Sequence, residues 1–125
     1  MKLFIFAKQI QNYKDLKNAL AAVDSDNVIM RFHEQKKLFK KLERELPDIL
    51  FVEVNDIEAF MMLEKIMQKY PRLNSVIYSP EKQFALEAFS LNVSGYMYKK
   101  PTPEKMREQF FNLRYPVMGR DGYYV

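Results

Sequence analysis

Short apolar runs alternate along this chain with segments whose apolar residues recur every three or four positions. Leu3-Phe4-Ile5-Phe6-Ala7 is apolar without interruption, which predicts a strand covered on both faces. Tyr13, Leu16, Leu20 and Val23 then fall on one face of a predicted helix. Asp24-Ser25-Asp26-Asn27 reads as a loop, and Val28-Ile29-Met30-Arg31-Phe32 as a second strand. Leu38, Leu42 and Leu46 recur every fourth residue among Lys and Glu, predicting a helix of about 12 residues that Pro47-Asp48 ends. Ile49-Leu50-Phe51-Val52 is the most hydrophobic strand candidate.

The alternation continues in the second half. Ile57, Phe60, Met61, Ile66 and Tyr70 mark a third helix, stopped by Pro71. Ser75-Val76-Ile77-Tyr78 reads as a fourth strand, and Phe84, Ala85, Ala88 and Phe89 line a fourth helix. After the turn signal Asn92-Val93-Ser94-Gly95, Tyr96-Met97-Tyr98 reads as a fifth strand. Met106, Phe110 and Leu113 give a fifth helix, entered through Thr102-Pro103-Glu104 with Pro at a favoured first position. Five strand–helix units in succession predict an α/β fold: a parallel sheet with helices on both faces. They occupy residues 1–115. Residues 116–125 lie outside the pattern, and Gly119 and Gly122 predict an extended or loose tail.

Composition narrows the chemistry. A chain of 125 residues with 48% hydrophobic and 29% charged residues makes one ordinary globular domain. Cysteine is absent, which excludes disulfides, thiolate metal sites and cysteine nucleophiles. The single histidine, His33, is read as a satisfied polar residue at the end of the second strand. The eight methionines are read as core filler. The apolar run at the N-terminus is too short for a signal peptide, and no stretch approaches the roughly 20 apolar residues that span a bilayer, so a soluble cytoplasmic protein is expected. A formal charge of +4 is modest. The basic run Lys36, Lys37, Lys40, Lys41, Arg44 is read as a solvated helix face, and direct nucleic-acid binding is not expected.

In open parallel sheets the working site lies beyond the carboxyl ends of the strands. That rule selects the loops Ala7-Lys8-Gln9, Glu53-Val54-Asn55-Asp56, Ser79-Pro80 and Lys99-Lys100-Pro101. The first of these has no glycine, which disfavours dinucleotide binding.

These loops carry a resemblance. Pro47-Asp48-Ile49-Leu50-Phe51-Val52-Glu53 resembles the third strand of two-component response-regulator receiver domains, which ends in the phosphoaccepting aspartate. The stretches Pro71 to Ser79, Phe84 to Phe89, and Ser94-Gly95-Tyr96-Met97-Tyr98-Lys99-Lys100-Pro101 resemble the later strands and helices of the same domain. The resemblance implies a flavodoxin-like fold of five parallel strands in the order 2-1-3-4-5 with five helices. Glu108 to Val117 is similar to the segment where some bacterial receivers pass into a DNA-binding output domain. No such domain follows in this sequence, so the chain is expected to be either a lone receiver-like module or a fragment of a longer regulator.

Carried over residue by residue, the family's Mg²⁺-binding acidic pair falls on Ala7 and Lys8, and its phosphoacceptor on Glu53. Its phosphoryl-contacting hydroxyl falls on Ser79, its lysine on Lys99 (or Lys100, one residue from Pro101), and its switch aromatic on Tyr96. The departures set the expectation. A lysine at a vacated carboxylate position repels Mg²⁺, so Mg²⁺ binding, and with it aspartyl-phosphate chemistry, is expected to be lost. Asp56, in the exit loop, is the weaker alternative acceptor. Lys8 and Lys99 are expected to flank Glu53 in an ammonium–carboxylate cluster. The expected role is a non-enzymatic signalling and protein-interaction module without cofactor. By resemblance, a homodimer would use the face of the fourth helix, fifth strand and fifth helix, with Phe84, Phe89, Tyr98, Phe110 and Phe111. The rival is an active phosphoacceptor receiver controlling transcription through an output domain absent from this chain, and a small-molecule enzyme is the remaining alternative.

Overall fold

In the computed structural model, residues 1–79, 87, 90–119 and 122–124 are described. Five strands form one sheet: β1 (Lys2–Phe6), β2 (Val28–Phe32), β3 (Ile49–Glu53), β4 (Ser75–Ser79) and β5 (Gly95–Tyr98). Their order is β2-β1-β3-β4-β5 and every pairing is parallel. This is the flavodoxin-like arrangement expected above. Among the described residues there are four helices: α1 (Ile10–Val23), α2 (Gln35–Arg44), α3 (Ile57–Lys69) and α4 (Pro103–Phe111). Phe84, Ala85, Ala88 and Phe89, which mark the expected helix between β4 and β5, lie outside the described residues.

The pleat divides the interior into two cores. Phe4, Phe6, Leu50, Val52 and Ile77 point to one side and pack with Leu38 and Leu42 of α2 and with Leu63 and Ile66 of α3. Leu3, Ile5, Ile49, Phe51, Val76 and Met97 point to the other and pack with Leu16 and Leu20 of α1 and Met106 of α4. Central strands buried on both faces explain the uninterrupted apolar runs. Among the methionines, Met62, Met67, Met97 and Met106 are core residues, whereas Met30 and Met61 are exposed.

One element, the second helix, departs from the pattern. The Leu38–Leu42–Leu46 spacing carries the second helix to residue 46, yet α2 ends at Arg44, Glu45 is extended, and Leu46 is half exposed. Pro47 accounts for this, because a residue before proline is driven out of helical geometry. The described tail residues are extended: Val117–Gly119 (β6) and Gly122–Tyr124 (β7) form an antiparallel pair. Val117 is buried. The buried Asn74 fixes the approach to it, donating to the Tyr115 carbonyl (2.9 Å) and accepting from the Tyr115 N–H (2.9 Å) and the Ser94 hydroxyl (2.8 Å).

Candidate functional site

Alternation along β3 decides where its terminal carboxylate goes. Ile49 and Phe51 face α1, so Glu53, two residues on, faces α1 as well. The side chain is buried, with 4% of its surface exposed. A buried carboxylate needs donors, and two supply them. The Lys8 backbone N–H donates to Oε1 at 3.1 Å, and the Asn12 side-chain amide of α1 donates to Oε2 in a short bond. Glu53 therefore ties the loop after β1 and the first turn of α1 to the end of β3.

Ala7 and Lys8 take opposite directions. Ala7 is fully buried on the α1 side, beside Leu16 and Phe51 in the same core. The Lys8 ammonium lies 3.8 Å from Glu58, in the first turn of α3, and both side chains are largely solvent-exposed. Lys99 departs too. Its φ of 65° is left-handed and turns the chain out of β5, and its ammonium stands 5.3 Å from the centre of the Tyr98 ring. Neither ammonium makes an ion pair with Glu53. The expected ammonium–carboxylate cluster is thus replaced by a neutral amide and a peptide N–H. The pleat is the reason: residue 8 follows Ala7 and leaves on the opposite side, towards α3. Lys100 is exposed, and its carbonyl accepts from Lys105 at 3.3 Å.

Ser79 is fully buried at the end of β4, and its carbonyl accepts from the Lys99 N–H at 3.2 Å. Tyr96 is partly buried and packs on the α2–α3 core. Asp56 caps α3, accepting from the Ala59 N–H at 2.8 Å, which gives it a local structural role at the mouth of the site. His33 is exposed just past β2. Burial, and then the charges of Asp15 and Glu53, push the Tyr78 phenol above its ordinary value, so it stays neutral beside the site.

The pattern of the sequence did not single out two residues here. Asn12 is one. Arg31 is the other: its guanidinium donates to the Ala7 carbonyl at 2.9 and 3.3 Å and to the Lys8 carbonyl at 3.3 Å, and it stacks 5.2 Å from the Tyr13 ring. The available signal was its position as the one charged residue in an otherwise apolar second strand. Together Glu53, Lys8, Asn55, Asp56 and Gln9 border a cleft of only about 90 Å³. Among the described residues no three acidic or histidine side chains converge as a metal would require. Nor is any helix there long and apolar enough to cross a membrane.

No family model and no curated protein sequence matches the chain. Solved structures do. The response regulatory domain of the protein mrkE from Klebsiella pneumoniae superposes with a TM-score of 0.76 at 19% identity, covering 90% of this chain and 94% of that one. A response regulator from Thermotoga maritima gives 0.73 at 17% identity, covering 88% and 97%. A LuxR family DNA-binding response regulator from Silicibacter pomeroyi gives 0.72 at 16%, covering 86% of each. The chain has the fold of a response-regulator receiver domain.

Proposed function

We propose that this chain is a receiver-like signalling and protein-interaction module of a bacterial two-component system, cytoplasmic and non-enzymatic, that works without phosphorylation and without bound Mg²⁺. The observation that carries the reading is the state of Glu53. Both of its carboxylate oxygens accept hydrogen bonds from the chain itself, so the group is used to hold β1, α1 and β3 together. The residues beside it do not fit the cation. Mg²⁺ demands an octahedron of hard oxygen donors, whereas the positions flanking Glu53 offer a methyl group and an ammonium. The nearby Arg31 guanidinium adds a second fixed positive charge and holds the Ala7 carbonyl. A phosphoryl group arriving at Glu53 would lose the metal that neutralises its charge and would have to break the Asn12 bond.

The role left to such a module is contact with other proteins, including a second copy of itself. Of the aromatic residues expected on a dimer face, Phe84 and Phe89 lie outside the described residues, Tyr98 and Phe110 are partly covered, and Phe111 is open to solvent.

The test uses the chain with acetyl phosphate and Mg²⁺, read by intact mass. The wild-type mass stays unchanged. A variant carrying Ala7→Asp, Lys8→Asp and Glu53→Asp together gains one phosphoryl group in a Mg²⁺-dependent manner. A Mg²⁺-dependent adduct on the wild-type chain, mapped to Glu53 or Asp56, overturns the reading in favour of an active receiver.

A further inference from the structure

We infer that the outer edge of β2 and the cationic face of α2 beside it take an acidic, extended segment of another protein as an added strand. The inference deepens the reading as an interaction module and rests on it. The register of β2 shows which of its backbone groups face outward. The Val28 N–H donates to the Met1 carbonyl and the Phe32 carbonyl accepts from the Ala7 N–H, each at 2.9 Å. Backbone groups alternate sides along a strand, so those of Ile29 and Arg31 point away from β1. β2 ends the sheet on that side, and among the described residues no strand meets it. Side chains follow the same alternation. Met30 and Phe32 lie opposite Phe4 and Phe6, which face α2, so Val28, Met30 and Phe32 form a row on that face. Val28 is 67% exposed and Met30 41%.

Beside this row lies a hollow of about 240 Å³, lined by Phe32 and by Lys37, Lys40, Lys41 and Arg44 of α2. The four cations recur at helical spacing and make one stripe along α2. Lys37 and Lys41 have partners in Glu34 and Glu45, at 3.4 and 2.7 Å. Lys40 and Arg44 are exposed, and neither makes an ion pair among the described residues. Together these features specify one occupant. Outward backbone donors and acceptors ask for a polypeptide in extended form. The cations ask for carboxylates, and the apolar row asks for aliphatic side chains between them. A second copy does not fit, because edge-to-edge pairing would bring two cationic stripes together. A nucleic acid would satisfy the cations but leave the strand edge and the exposed Val28 and Met30 unused.

The probe is a short blocked peptide alternating glutamate with valine, of β-strand length, titrated into the isotope-labelled whole chain and followed by amide NMR. Saturable shifts are expected at Ile29, Arg31 and along α2, weakening as salt is raised. Lys40→Glu with Arg44→Glu raises the dissociation constant by about tenfold or more. Circular dichroism stays unchanged, because both side chains are exposed. Two further peptides, N-methylated at every valine or at every glutamate, test the strand itself. An added strand bonds through one edge only, so one of the two loses binding and the other keeps it. The inference is overturned by the absence of saturable shifts at millimolar peptide, by shifts confined to other elements, or by charge-reversed protein that binds as the wild type does. Methylated peptides that bind alike overturn it too, as does single-stranded DNA that displaces the peptide. The phosphoryl assay reads Glu53 in β3, so failure of this docking and failure of the signalling reading are seen separately.

Discussion

The two ends of the sheet are held by different means. At the amino end, polar ties cross long stretches of sequence. Lys2 donates its backbone N–H to Asp48 (2.7 Å), Asp48 returns one to the Lys2 carbonyl (2.8 Å), and the Lys2 ammonium meets Glu45 at 2.6 Å. Asn74 adds its bonds to Ser94 and Tyr115, tying the start of β4 to the segment that leads into β6. At the carboxyl end, Glu53 gathers β1, α1 and β3, while Lys8 and Lys99 lean outward to partners at the surface. The end where open α/β sheets place their chemistry is crossed by ties as well, among them the bonds of Arg31 to the Ala7 and Lys8 carbonyls. In this chain even its central carboxylate has become one of them.

The largest separation of the two ends is expected at Asn74. Asn74→Ala leaves the Tyr115 N–H, the Tyr115 carbonyl and the Ser94 hydroxyl without their buried partner and should cost about 2–3 kcal/mol in urea unfolding. A change within a few tenths of a kcal/mol would mean the tail contributes nothing to the fold. At the other end, Glu53→Ala should cost about 1–2 kcal/mol. If the carboxylate acts through α1, Asn12→Ala should cost little more on top of it, giving a coupling of about 1 kcal/mol in a double-mutant cycle. Strictly additive losses would place the two residues in separate roles.

The smallest effect concerns acid. The Lys2 ammonium, and then that of Lys41 at 2.7 Å, hold the Glu45 carboxyl down at about 2, against its ordinary 4.5. The unfolded chain takes up this proton first. The contribution is therefore fully present above about pH 4.5 and fades as pH falls towards 2. Glu45→Gln should lower the urea midpoint slightly at neutral pH, and the two proteins should converge over that acid window. Parallel curves down to the lowest pH would show that these exposed ion pairs are idle.

The strands and the helices on either side of them were legible because the runs of β1, β3 and β4 are buried on both faces and each described helix shows one apolar stripe, although the edge strand β2 leaves Val28 and Met30 exposed. The candidate site was legible down to the strand that ends at Glu53, since the parallel topology places that residue at the centre of the carboxyl edge. Its partners were not. The direction of Lys8 depends on which side of the pleat follows Ala7, and the Asn12 bond spans 41 residues of sequence. Hydropathy carries no record of either. The same holds for the tail. Gly119 and Gly122 predict an extended or loose end, and neither the burial of Val117 nor the anchoring of Tyr115 by Asn74 leaves a mark in that pattern. The early end of α2 was readable from Pro47, and the leucine spacing concealed it.

The grip of Asn12 on Glu53 bears on what position 53 tolerates. A shorter carboxylate there, such as aspartate, withdraws from the amide that it anchors and loosens α1 from β3. Side-chain length, as much as charge, is what the amide selects at this position.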